Sequence, residues 1–130
     1  MSLAVGLKHS QSLRVGNELT VPAVSKHLAH FQDMPPVFAT AFLVAFIEDT
    51  CVAALKPHLG PGQKSVGTHV DISHTAATPV GRTVTCEVEL VEIEGRKLKF
   101  RVTCRDDKGP IGDGFHERAL IDLAKFLARL

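Results

Sequence analysis

No tryptophan and no tyrosine occur in the 130-residue sequence, so seven phenylalanines supply all of its aromatic surface. That leaves little from which to build a platform for stacked bases. An excess of one charge is also missing, since 15 Lys and Arg stand against 14 Asp and Glu. Nucleic acid and acidic membranes usually select a basic excess in the proteins that bind them, so neither partner is expected. No window holds the roughly 20 consecutive apolar residues of a membrane-crossing helix. The N-terminus lacks the basic-then-apolar layout of a secretory signal, and a cytoplasmic location is the expectation. The three cysteines, Cys51, Cys86 and Cys104, form no CxxC or CxxH pair, so no metal site and no cofactor is implied. All three are expected as buried free thiols.

What is present is the composition of an ordinary globular chain, 45% hydrophobic and 22% charged, long enough for a single core. No repeat or linker divides residues 1–130, which read as one domain. Residues 1–20 are weakly patterned and fit a tail with an edge strand over Ser12–Val21, turned at Val15-Gly16-Asn17. Residues 21–36 read as a flap, closing on Pro35-Pro36, and a proline pair is a natural helix start. A central helix over residues 37–59 follows, free of glycine, with its only proline, Pro57, near the end. From Val37 to Ile47 it is apolar all round apart from Thr40, the pattern of a buried helix.

Residues 63–126 read as a sheet. Val66, Thr68, Val70, Ile72 and His74 alternate on one face, with Ser65, Gly67, His69, Asp71 and Ser73 on the other. Val84, Cys86, Val88 and Leu90 alternate in the next strand until the phase slips at Val91, which signals a bulge. Leu98, Phe100, Val102 and Cys104 alternate in the third, and its basic outer face suits the acidic face of its neighbour. A last strand runs roughly from Pro110 to Leu123. One helix followed by an antiparallel meander is an α+β fold. The sheet's open edges invite a second copy, so a homodimer is expected.

Chemistry centres on Glu48, the first charged residue after the apolar run of the helix. Either the helix emerges into water there, next to Asp49, or Glu48 faces inward while Asp49, turned about 100° from it, faces out. A carboxylate facing an apolar pocket costs several kcal/mol unless it is paired or protonated, and such residues are kept mainly for function. Thr40 lies two turns earlier, roughly 80° around the helix axis. His74, ending a strand on the helix-facing side, completes a candidate acid/base set. His69 takes the opposite phase and reads as a rim residue. In Gly112–Arg118, alternate glycines open one face to close approach. There Arg118 shares its phase with His116 and reads as a surface ion-pair residue or a cation for an anionic ligand.

Val37–Glu48 (VFATAFLVAFIE), Ser65–Thr68 (SVGT), His74–Pro79 (HTAATP) and Gly114–Arg118 (GFHER), in this order, resemble the fluoroacetyl-CoA thioesterase family of hotdog proteins. The resemblance spans about Pro36 to Phe126. It implies a hotdog fold and hydrolysis of an acyl-CoA thioester, with Thr40, Glu48 and His74 as the catalytic set. It makes Gly67, Arg118, Met34 and Phe38 substrate-lining positions. Either Thr40 or a water it places would attack, and the Gly67 amide would support the oxyanion. The flap departs from the family: it is shorter, and Met34 stands where one lid phenylalanine would be. A short or medium acyl chain is therefore expected rather than fluoroacetyl specificity. The competing readings are a hotdog enoyl-CoA hydratase or dehydratase and a non-catalytic acyl-CoA-binding domain.

Overall fold

Period-two alternation dominates the second half of the chain, and the computed structural model, which describes residues 3–130, forms its sheet there. The main elements are β1 (Lys8–Arg14), α1 (Thr40–Leu55), β2 (Gln63–His74), β3 (Thr83–Glu94), β4 (Lys97–Asp106), β5 (Gly109–Asp122) and α2 (Leu123–Ala128). The strands form one sheet in the order β1-β3-β4-β5-β2, with every neighbouring pair antiparallel. α1 packs on one face of it, which is the expected α+β arrangement.

The inward phases of β3 and β4 meet one stripe of the helix. Val84, Cys86, Val88 and Leu90 with Leu98, Phe100, Val102 and Cys104 are buried against Leu43, Phe46, Ile47, Cys51, Ala54 and Leu55. The outward phases carry Arg105 paired with Glu87 at 2.7 Å and Arg101 with Glu89 at 3.7 Å. Such exposed pairs contribute about 0–1 kcal/mol each, so the apolar face dominates stability. The bulge read at Val91 is present as a register shift between Leu90 and Glu92.

Element boundaries differ from the expectation in four places. α1 begins at Thr40, not at residue 37, because Val37 and Phe38 are extended and bridge Pro79 and Thr20. Phe38 N–H donates to the Thr78 carbonyl at 2.8 Å, so this apolar strap is tied down before the helix starts. The helix ends at Leu55 and tightens into a 3-10 turn over Lys56–His58, where Pro57 has no N–H to extend it. β1 lies earlier than Ser12–Val21, and Asn17–Leu19 forms a 3-10 turn in its place. Finally, the sheet stops at Asp122, whose side chain accepts the Lys125 N–H and caps α2.

Burial of α1 is also one-sided. Leu43, Phe46, Ile47, Thr50 and Cys51 are covered, whereas Ala41, Ala45 and Val52 are exposed, because the sheet screens a single stripe. The flap over residues 21–36 contains two 3-10 turns, Val21–Ala23 and Ala29–Phe31. The Gln32 amide nitrogen gathers it from within, 3.2–3.4 Å from the carbonyls of Pro22, Ser25 and Leu28. No helix of the described residues is long and apolar enough to cross a membrane.

Candidate active site

α1 and β2 run past each other in opposite senses, so the start of the helix meets the end of the strand. Thr40 is the first residue of α1 and has no helical carbonyl four residues back for its hydroxyl to bond. Instead Thr40 Oγ1 lies 2.7 Å from His74 Nδ1. The Phe38 ring meets the imidazole edge to face, with centroids 6.4 Å apart and planes at 77°. Below the ring the HTAATP segment is pinned: Thr75 N–H donates to the Ile111 carbonyl at 2.7 Å, and buried Thr78 donates to Asp106 at 2.8 Å. Burial holds the His74 pKa below its ordinary 6.5, so the ring is neutral near pH 7 and can take a proton. No side chain caps the N-terminus of α1 at Ala39, which leaves its first-turn amides available beside Thr40.

Glu48 sits two helical turns on, about 12 Å along the axis from Thr40. Its carboxylate turns toward the sheet while Asp49 faces out and accepts from Gln11 at 3.1 Å. Its partner is not His74 but Arg118, whose Nη1 donates to Glu48 Oε1 at 2.9 Å. The arginine is only 5% exposed, which corrects the surface ion-pair reading. Its Nε donates to Ser65 Oγ at 2.8 Å and its Nη2 to the Ser65 carbonyl at 3.0 Å. The remaining Nη1 hydrogen points at His116 Nε2, 3.1 Å away. His116, 1% exposed, donates from Nδ1 to the His69 carbonyl at 2.8 Å.

Gly67 belongs to this second group, against the strict alternation that set it opposite His74. The register of β2 on β5 shifts between Gly67 and His69, and the extra residue returns Ser65 and Gly67 to the side of Val70, Ile72 and His74. A Cβ at Gly67 would overlap Glu48 Oε1 and lie 3.3 Å from both Arg118 Nη1 and His116 Cε1. The missing side chain is thus the space that the carboxylate occupies. Gly112 and Gly114 likewise admit a backbone, that of β2 at Ser73 and Asp71.

The sequence-derived set therefore divides. Thr40 and His74 meet at one end, whereas Glu48, Gly67 and Arg118 meet at the other. Phe38 is 1% exposed and belongs to the core beside His74, while Met34 is 45% exposed on the flap. His69 is exposed, as its phase required. Ser65 and His116 were missed as site residues, although His116 shares its phase with Arg118 and Ser65 shares that of Gly67. Cys51, Cys86 and Cys104 are free and buried, and burial pushes the Cys51 thiol up, away from reactivity. Among the described residues no three His, Cys, Asp or Glu side chains gather closely enough to hold a metal ion.

Comparison with known proteins gives this geometry a family. The family model described as fluoroacetyl-CoA-specific thioesterase matches residues 23–124. The fluoroacetyl-CoA thioesterase of Streptantibioticus cattleyicolor is 43% identical over 128 residues, covering 98% of this chain and 92% of that protein. A solved structure of a variant of the fluoroacetyl-CoA-specific thioesterase FlK, in complex with fluoroacetate and CoA, is 44% identical with a TM-score of 0.93. That match covers 95% of this chain and 99% of the other. A thioesterase superfamily member from Thermus thermophilus is 25% identical with a TM-score of 0.86, covering 97% and 89% of the two chains. Likeness to a hot-dog-like protein from Thermanaerovibrio acidaminovorans, with a TM-score of 0.82, agrees that one helix on a five-stranded antiparallel sheet is the hotdog fold. Nearly full-length similarity and the agreement of fold show that this chain belongs to the fluoroacetyl-CoA-specific thioesterase family.

Proposed function

We propose that the protein hydrolyses a short or medium acyl-CoA thioester, with Thr40 as nucleophile and His74 as its base. The 2.7 Å contact between Thr40 Oγ1 and His74 Nδ1 carries this reading. A hydroxyl needs a positioned base to attack, and a neutral imidazole within hydrogen-bond reach is one. His74 Nδ1 takes the hydroxyl proton while Thr40 Oγ1 bonds to the thioester carbonyl carbon. The oxyanion so formed faces the uncapped first-turn amides of α1, whose dipole favours negative charge. Collapse breaks the C–S bond, and the departing thiolate receives the proton from His74. Water, deprotonated by His74, then cleaves the acyl-threonine ester and releases the carboxylic acid and free Thr40.

Glu48 is too far along the helix to assist the Thr40–His74 pair of its own chain, which supports a site shared in a homodimer. β2 is an edge strand of 12 residues, and Val70 in its middle is 46% exposed. With the bulge between Gly67 and His69 absorbing one residue, a two-fold axis through Asp71 that pairs β2 with its copy lies midway between Gly67 and His74. It sets Gly67 opposite the partner subunit's His74, so that Glu48 supplies a carboxylate to orient the hydrolytic water there. A groove beside Ser65, lined by Val52, Lys56, Leu59 and Lys64, offers an apolar floor and two cations to a phosphate-bearing CoA tail. Three free cysteines suit a cytoplasmic place of action.

The test is thiol release from a panel of acyl-CoAs by wild type, Thr40→Ala, Glu48→Ala and His74→Ala. At least one acyl chain is expected to turn over, with losses of about 10²-fold or more in each variant. Water addition to enoyl-CoA without thiol release would make the protein a hydratase. Binding without turnover would make it an acyl-CoA-binding domain.

A further inference from the structure

The second group contains a buried histidine to which the proposed chemistry assigns no role. We propose that His116 is a positioning residue, a neutral imidazole that accepts a hydrogen bond from Arg118 and thereby aims the guanidinium at Glu48. The inference deepens the proposed thioester hydrolysis and rests on it for its kinetic consequences, though not for its structural content.

The tautomer follows from the partners. A carbonyl oxygen can only accept, so the 2.8 Å contact with the His69 carbonyl places the ring proton on Nδ1. Nε2 then carries a lone pair, and Arg118 Nη1, which can only donate, lies 3.1 Å away. Nη1 has two hydrogens: one serves Glu48 Oε1 at 2.9 Å and the other serves His116. Ser65 holds the opposite side of the guanidinium at Nε and Nη2. Four of the five N–H bonds are thereby directed, and the plane of the guanidinium is set by Ser65 and His116 together.

Protonation of His116 would reverse its part. Nε2–H would face Nη1–H, two cations would stand 3.1 Å apart, and Arg118 would lose the acceptor that orients its Nη1. The charged groups around the ring oppose one another. Arg118 on β5 disfavours a second positive charge, while Glu48 on α1, 3.8 Å from Nε2, and Glu117 on β5 favour it. From β2 the His69 carbonyl accepts from the ring, and the facing residue on β4 is the uncharged Phe100. Burial tips the balance toward the neutral form, because the ring is 1% exposed.

Two substitutions separate positioning from packing. His116→Leu fills the space but cannot accept, whereas the amide of His116→Gln can accept from Arg118, donate to His69 and not titrate. The expected result is a kcat lowered about tenfold to a hundredfold in His116→Leu with little change in KM. His116→Gln should recover most of that loss, and the acid limb of its pH profile should involve one proton fewer than that of wild type. Nitrogen-15 NMR of the histidine rings in the unliganded wild type should show the Nδ1–H tautomer. On titration to low pH, the Arg118 side-chain signals should shift together with those of His116. An Nε2–H tautomer, Arg118 signals that stay fixed while His116 takes up its proton, or wild-type kcat and acid limb in both variants would overturn the proposal. If no acyl-CoA is hydrolysed at all, the NMR result still decides the His116–Arg118 link, and only the hydrolytic reading fails.

Discussion

Gly67→Ala is the most economical perturbation of the site, because it adds one methyl group without removing any polar atom. The glycine is not among those with positive φ, so alanine meets no backbone strain there and acts through space alone. Its Cβ would overlap Glu48 Oε1, a carboxylate that is 40% exposed and has open solvent to swing into. The fold should survive, while Arg118, 6% exposed in its side chain, keeps Ser65 and His116 but loses its counter-charge. Breaking a fully buried pair costs about 3–5 kcal/mol and an exposed one about 0–1 kcal/mol. A half-exposed carboxylate on a buried guanidinium belongs between them, at about 1–2 kcal/mol, or roughly 3–10 °C in Tm. Activity should suffer more, because a displaced Glu48 no longer presents its charge: about 10²-fold in kcat, followed by thiol release at saturating acyl-CoA. The double variant Gly67→Ala/Glu48→Ala should be no slower than Glu48→Ala, since both remove the same carboxylate from the same place. Wild-type kcat in Gly67→Ala, or additive losses in the double variant, would refute the claim that this glycine exists to seat Glu48.

Burial lowers the pKa values of His74 and His116, so below pH 6.5 the unfolded chain takes up protons that the folded chain refuses. Tm should therefore be level above about pH 7 and fall steadily below 6.5; a Tm that rises on acidification would contradict the sign. The chain of 14.1 kDa should sediment at about twice that mass, and a monomer at micromolar concentration would remove the shared site. Mixing inactive His74→Ala with inactive Glu48→Ala, after subunit exchange, should restore up to about a quarter of wild-type activity, because each heterodimer then holds one intact site. Sites built within single chains would recover nothing.

How much of this was legible beforehand depended on which periodicity carried the information. The phases of β3 and β4 alternate without a break through Val84–Leu90 and Leu98–Cys104, and the core follows from them directly. Boundaries failed where apolarity crossed a change of backbone. Val37–Ala39 continue the apolar run of α1 but are held extended by Thr20, Thr78 and Pro79, partners that lie far away in sequence. Arg118 shows the same limit: its phase was readable, but not that Ser65, His116 and Glu48 would close over it. Gly67 is the instructive case, because a glycine inside a strand is a known mark of a bulge. Taken that way, it would have moved itself and Ser65 onto the helix-facing side.

Glu48 and His74 do not meet within one chain, for a reason that spacing alone contains. The inward turn of Glu48 and the outward turn of Asp49 follow from helical rotation, and both are present. Rotation, however, says nothing about distance along the axis, and eight residues of helix are about 12 Å long. Once Thr40 is bonded to His74, Glu48 of the same chain is placed out of reach, whatever direction it faces. β2, passing α1 in the opposite sense, carries Gly67 to Glu48 and His74 to Thr40, so each end of the pair holds half of the polar groups. A strand that presents complementary halves at its two ends, and whose outer edge is unpaired, is self-complementary under two-fold rotation. In the proposed homodimer, the catalytic set read from one sequence would be a single set only when two copies of that sequence are counted.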